Sequence, residues 1–142
     1  MHEMFSLAHS MLGIGLETWN TNKVADMSYM FSAAVSFNQN ISTKDISAEE
    51  SQTKEAYKAW DVSKVTSMES MFTSASLFNG DIGNWNVSNV TNMNGMFYAA
   101  SAFNQKLTSW NVKNITSEPQ FFSTNSNLIP ENEPKWGSGP ET

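Results

Sequence analysis

Trp60, Trp85 and Trp110 stand 25 residues apart, and the residues that follow each of them run in register. Trp-Asp-Val-Ser-Lys-Val-Thr-Ser-Met in one stretch lies over Trp-Asn-Val-Ser-Asn-Val-Thr-Asn-Met in the next, and Trp-Asn-Val-Lys-Asn-Ile-Thr-Ser follows below. Met68, Met71, Phe72, Ala75, Phe78 and Ile82 then match Met93, Met96, Phe97, Ala100, Phe103 and Leu107. A fixed period of this length is the signature of a stacked repeat architecture and outranks any element-by-element reading.

An earlier copy runs from Trp19 through Val24, Met27, Met30, Phe31, Ala34 and Phe37 to Ile41 at the same offsets. Nineteen residues separate Ile41 from Trp60 where three separate Ile82 from Trp85, so sixteen extra residues are inserted there. Before Trp19, the segment Met1, Met4, Phe5, Ala8, Met11 repeats the back half of the unit. All nine Met fall in repeat slots, and eight of the nine Phe occupy Phe columns, with Phe121 assigned to the second Met slot.

Within a copy the apolar period changes. Val62, Val65 and Thr66 form a β-branched stretch suited to a short strand. From Met68 to Phe78 the spacings of three and four predict about three turns of helix, and Asn79-Gly80 and Asn104 supply turn chemistry after it. The expected fold is an α/β repeat, a solenoid of about 25-residue strand-helix-turn coils. One such coil cannot bury its own apolar face, and stacked coils bury one another's. The tryptophans are expected to form a column, as are the Met and Phe positions, with Asn38, Asn79 and Asn104 as a hydrogen-bonded ladder between coils.

These residues resemble the BspA-like leucine-rich repeat family, whose units read approximately Trp-Asp/Asn-Val-Ser-x-Val-Thr-x-Met-x-x-Met-Phe-x-x-Ala-x-x-Phe-Asn-x-x-Ile/Leu. The segment Trp85 to Leu107 agrees with that pattern at nearly every defined position, and the match extends from residue 1 to about 128. The resemblance implies a leucine-rich-repeat-like solenoid and an extracellular or cell-surface, adhesion-linked setting. The chain departs from the pattern in its insertion and in showing no signal peptide.

Repeats are expected over 1–129, comprising the partial N-terminal repeat, the insertion at 43–59 and a degenerate cap repeat at 110–129, followed by a C-terminal tail at 130–142. In the cap, Glu118-Pro119 replaces the first Met, Phe122 keeps the Phe slot and Asn125 replaces the Ala, while Trp136 is placed to close the last coil. The column residues Met1, Met4 and Phe5 leave the N-terminal end without a polar cap, so self-association through that end is expected. In the insertion, Ser47 and Glu50 read as a capping box for an exposed helix from Ala48 to about Ala59.

The net charge is -6 and every base is Lys, which disfavours nucleic acid as a partner. There is no Cys, and no run of 18 apolar residues suggests direct membrane insertion. His2 and His9 have no recurrent ligand partners, and no nucleophile elbow or phosphate loop occurs, so no metal, cofactor or catalytic residue is assigned. The sequons at Asn40, Asn86, Asn89 and Asn114 read first as by-products of the repeat, with glycan attachment in a eukaryotic secretory route as the alternative. The expected function is non-catalytic binding of a protein or glycan, with a spacer or self-assembling element as the rival. The candidate ligand face is the outward row Lys23, Lys64, Thr66, Asn89, Thr91, Asn114 and Thr116, next to Ala25.

Overall fold

The computed structural model describes residues 15–139, so the partial repeat at Met1–Met11, with both histidines and the proposed self-association end, lies outside the described residues. Regular elements are few. Two 3-10 turns, Leu16–Thr18 and Pro130–Asn132, flank a two-stranded antiparallel hairpin of β1 (Lys44–Ile46) and β2 (Tyr57–Ala59). No α-helix occurs among the described residues.

The helix expected over 68–78 is therefore replaced, and the backbone hydrogen bonds explain by what. Met71 donates to Met68, Thr73 to Ser70, Ala75 to Phe72 and Phe78 to Ala75, each spanning three residues and closing a β-turn. The amides between them leave the copy altogether: Met68, Ser70, Phe72 and Ser74 donate to the carbonyls of Asn92, Asn94, Met96 and Tyr98 at 2.7–2.9 Å. The first copy does the same, with Met27, Tyr29, Phe31 and Ala33 donating to Ser67, Glu69, Met71 and Thr73. An α-helix keeps its amide bonds within the segment. Here every second amide pairs with the next copy, and tandem turns are the conformation that permits this alternation.

The turns require left-handed residues. Tyr29, Ser70 and Gly95 occupy one equivalent slot with φ of 60°, 52° and 65°, and Ala33, Ser74 and Ala99 another with 58°, 59° and 57°. Each is the third residue of a three-bond turn, where a positive φ marks type II geometry. A side chain there costs roughly 1–2 kcal/mol, which the paired amides on either side offset. The expected strand at Val62–Thr66 is also absent. Val65 donates to Val62 to close another turn, and pairing between copies narrows to the parallel bridges Asp26–Ser67 and Ser67–Asn92.

Burial follows the repeat even though the helix does not form. Val62, Val65, Met68, Met71, Phe72, Ala75, Phe78, Ile82 and Trp85 are at most 2% exposed, because a chain of three-residue turns returns its corners inward at the spacings a helix would use. Phe31, Phe72 and Phe97 stack at 5.6 Å centroid spacing with rings within 5° of parallel, and Phe37, Phe78 and Phe103 form a second column at 5.5 and 5.7 Å. Trp19, Trp60 and Trp85 stack at 6.4 and 6.3 Å. Each indole also reaches back: Trp60, Trp85 and Trp110 donate Nε1–H to the carbonyls of Leu16, Ile41 and Ile82 at 2.7–2.9 Å. At about 25 cal/mol per Å², a large aromatic burying 150–250 Å² contributes about 4–6 kcal/mol as an upper bound.

The asparagine ladder is present as predicted. Asn38 Oδ1 accepts the amide of Asn79, Asn79 Oδ1 that of Asn104, and Asn104 Oδ1 that of Ile129, at 2.9–3.1 Å. The insertion departs from expectation. Ser47 and Glu50 do form the reciprocal bonds of a capping box, but these close a single turn, and the chain returns as β2 instead of a helix. Pairing Lys44 with Ala59 and Ile46 with Tyr57 buries Ile46 and Ala59 in the main core, a gain that an exposed helix would forgo. Thr43 Oγ1 closes the neck of the insertion on the Trp60 carbonyl at 2.7 Å, so the sixteen residues leave the stacking of the copies undisturbed.

In the fourth copy the register slips by one residue. Gly95, Phe97 and Ala99 donate to Gln120, Phe122 and Thr124, 25 residues on, whereas the preceding pair of copies uses an offset of 24. The left-handed slots accordingly fall on Phe121 and Asn125, φ 56° and 61°, and not on Gln120 and Thr124. The expected assignments of Phe121, Phe122 and Asn125 are thereby corrected. Pro119 takes the first Met slot, Phe122 the second, Ser123 the Phe slot and Ser126 the Ala slot, as the bonds Phe122 to Pro119 and Ser126 to Ser123 record. Phe122 meets Phe97 edge-on at 89° instead of stacking. The segment beyond Pro130 packs on this last copy: Trp136 abuts Phe122 at 4.8 Å, Val112 donates to Ser138, and Gly137 donates to Ile115. The described residues form one well-packed body around a continuous aromatic cluster.

Candidate functional site

The seven candidate residues are all exposed. Four of them make bonds between neighbouring copies. Thr66 Oγ1 donates to the Ala25 carbonyl at 3.2 Å and Thr91 Oγ1 to the Thr66 carbonyl at 3.4 Å, beside the amide bonds Thr66 to Ala25 and Thr91 to Thr66. Asn89 and Asn114 donate Nδ2 to the carbonyls of Ser63 and Ser88 at 2.6 and 2.7 Å. The row is thus a rung-by-rung ladder along the surface. Its Asn side chains have committed the nitrogen a glycan would take.

The neighbouring Asp and Asn positions are also spoken for. Asp61, Asn86 and Asn111 each accept the amide two residues on, at 3.0–3.2 Å, which is local turn chemistry and accounts for Asp and Asn alternating in this slot. Among the described residues no group of three metal-ligating side chains converges.

One depression brings candidate residues together. Thr91, Asn114 and Thr116 border a hollow of about 310 Å³ with Asn94, Glu118 and Gln120. Lys23, Lys64, Thr66 and Asn89 do not line it. Partial desolvation of the exposed Glu118 side chain, and then the nearby Glu133 carboxylate, raise its pKa above the ordinary value. Glu133 itself is held by the Ser123 hydroxyl at 2.7 Å.

A family model described as "Mycoplasma protein of unknown function, DUF285" matches residues 1–54 and again 46–137. The chain belongs to the DUF285 family. The two matches meet inside the insertion, so the DUF285 unit spans more than one 25-residue copy. No match was found among curated proteins or solved structures.

The DUF285 stack also carries large side chains on its surface that the repeat reading passed over. Leu77 is 56% exposed, Tyr98 36%, Phe121 63% and Ile129 44%. Tyr98 could have been found in the sequence, since it stands where the other copies carry Ser32 and Thr73. Phe121 could not, because its outward position depends on the one-residue slip.

Proposed function

We propose that the chain is a non-catalytic binding module, a leucine-rich-repeat-like solenoid of the BspA-like kind, whose ladder face receives a protein or glycan ligand in an extracellular or cell-surface setting. The observation that carries this reading is the hollow bordered by Thr91, Asn114 and Thr116, where consecutive copies present threonine hydroxyls and the Asn114 side-chain carbonyl beside a concave surface. Lys23 and Lys64 add positive charge farther along the row. Replacing Thr91 and Thr116 by Trp is expected to abolish capture of a ligand found in a glycan and host-protein screen, while the loss of the long Thr91–Thr66 bond lowers stability by no more than about 1 kcal/mol. Unaltered affinity would reject this face.

The second reading, a spacer or self-assembling element, has its own support. Thr66, Asn89, Thr91 and Asn114 already direct donors to neighbouring copies, so part of the polarity of this face serves the stack. A screen without any ligand, together with ordered oligomers, would favour it.

A further inference from the structure

We propose that Tyr98 and Phe121 form a second site, a corner that binds one neutral pyranose ring of a glycan, distinct from the ladder face. Their rings lie 5.9 Å apart at 85°, and both are open to solvent. With Ser70, Thr73 and Gly95 they border an open hollow of about 280 Å³, just under the range of pockets that hold drug-sized molecules and suited to a single ring. No charged side chain lines it.

The repeat explains how the hollow arises. Tyr29, Ser70, Gly95 and Phe121 occupy the same left-handed slot in successive copies. The third copy has Gly there, and a Cβ at that point would meet Ser70 Oγ at 3.0 Å and Thr73 Oγ1 at 3.7 Å, so both hydroxyls edge the space that the missing side chain leaves. The fourth copy places Phe at the slot, and the register slip turns this ring outward. A bulky residue held at φ 56° with its ring 63% exposed is costly for the fold, and its packing on the core returns little.

The chemistry of the lining selects the ligand class. Thr73 Oγ1 donates to the Gly95 carbonyl and keeps lone pairs to accept with. Ser70 Oγ has no hydrogen-bond partner among the described residues and can both donate and accept. A pyranose has an apolar C–H face and a rim of hydroxyls, which matches two aromatic faces bordered by two hydroxyl groups. An anionic or cationic ligand would find no countercharge, and a purely apolar side chain would leave Ser70 and Thr73 without new partners.

The test uses the full chain, labelled with nitrogen-15 and titrated with methyl β-glucoside, methyl β-galactoside, N-acetylglucosamine and, as the rival, N-acetyl-leucinamide. The expected result is that at least one sugar shifts the amides of Gly95, Tyr98 and Phe121 together, and that saturating the aromatic protons transfers to its ring C–H protons. Phe121→Ser should then weaken that sugar about tenfold, the loss of one aromatic contact, while the unfolding midpoint holds or rises. Tyr98→Ser, at an exposed turn, provides an independent second variant. No concerted shift with any sugar, unchanged affinity in both variants, or shifts produced only by N-acetyl-leucinamide would each overturn the proposal. Thr91→Trp and Thr116→Trp leave this corner intact, so failure of the ladder face and failure of the corner are read separately.

Discussion

Replacing Trp85 by Phe isolates one hydrogen bond that the insertion has made irreplaceable. Each indole N–H caps a buried carbonyl in the slot just ahead of the preceding copy's tryptophan, yet those carbonyls are not equally served. Leu16 O also accepts the amide of Trp19, and Ile82 O also accepts the amide of Trp85, both at 3.1 Å. Ile41 O has no such second donor, because the insertion follows it and the amide of Trp60 turns to Trp19 O instead. Ile41 is fully buried, so Trp85→Phe leaves its carbonyl unsatisfied away from water. Trp110→Phe and Trp60→Phe make the same change of side chain and leave each carbonyl one donor. All three lose comparable apolar surface, and Trp85→Phe should cost an additional 1–3 kcal/mol or so. With a urea slope of about 1–3 kcal/mol per molar, the excess appears as a midpoint roughly 1 M lower than in either control. Unfolding is followed by the fluorescence of the remaining tryptophans. If Trp110→Phe or Trp60→Phe lowers the midpoint as far as Trp85→Phe does, the reasoning about the orphaned carbonyl is wrong.

Two further substitutions probe other parts of the stack. A Cβ on Gly83 would lie 2.7 Å from the backbone carbonyl of Lys106, which cannot swing aside, so Gly83→Ala should destabilise by about 1–3 kcal/mol in the same urea assay; a neutral result would mean that the second and third copies can separate locally. Glu118 carries a raised pKa, caused first by partial desolvation and then by Glu133, so its ionisation opposes folding: stability declines as pH rises from the ordinary value of 4.5 through the folded value. Glu118→Gln should therefore be more stable than the parent at neutral pH, with the gain vanishing below about pH 4.5, and a gain that persisted in acid would contradict this assignment.

Column membership was legible because burial recurs with the period of the chain. Trp60, Phe72, Phe78 and Ile82 are inside for the same reason that Trp85, Phe97, Phe103 and Leu107 are, and an alignment of the sequence with itself contains that information. The asparagine ladder was legible on the same grounds, since one residue type repeated at one slot faces itself from copy to copy. The exposed row from Lys23 to Thr116 followed from the complementary polar slots; Tyr98 was passed over, although it stands where the other copies carry Ser32 and Thr73.

Local conformation was not legible, because spacings of three and four describe both a helical face and a succession of three-residue turns. What separates them is where alternate amides find acceptors. For Met68, Ser70, Phe72 and Ser74 the acceptors lie in the following copy, a partner that no window of local sequence contains. The same holds for the insertion, where the Ser47–Glu50 box fits a helix start and the burial of Ile46 and Ala59 decides for a hairpin. It holds again for Phe121, whose outward ring follows from Gly95, Phe97 and Ala99 pairing one residue later than the preceding copies would predict. Period and composition therefore determined which side chains this chain buries together. Hydrogen bonding between copies, a long-range condition, decided the path of the backbone and with it which aromatics remain on the surface.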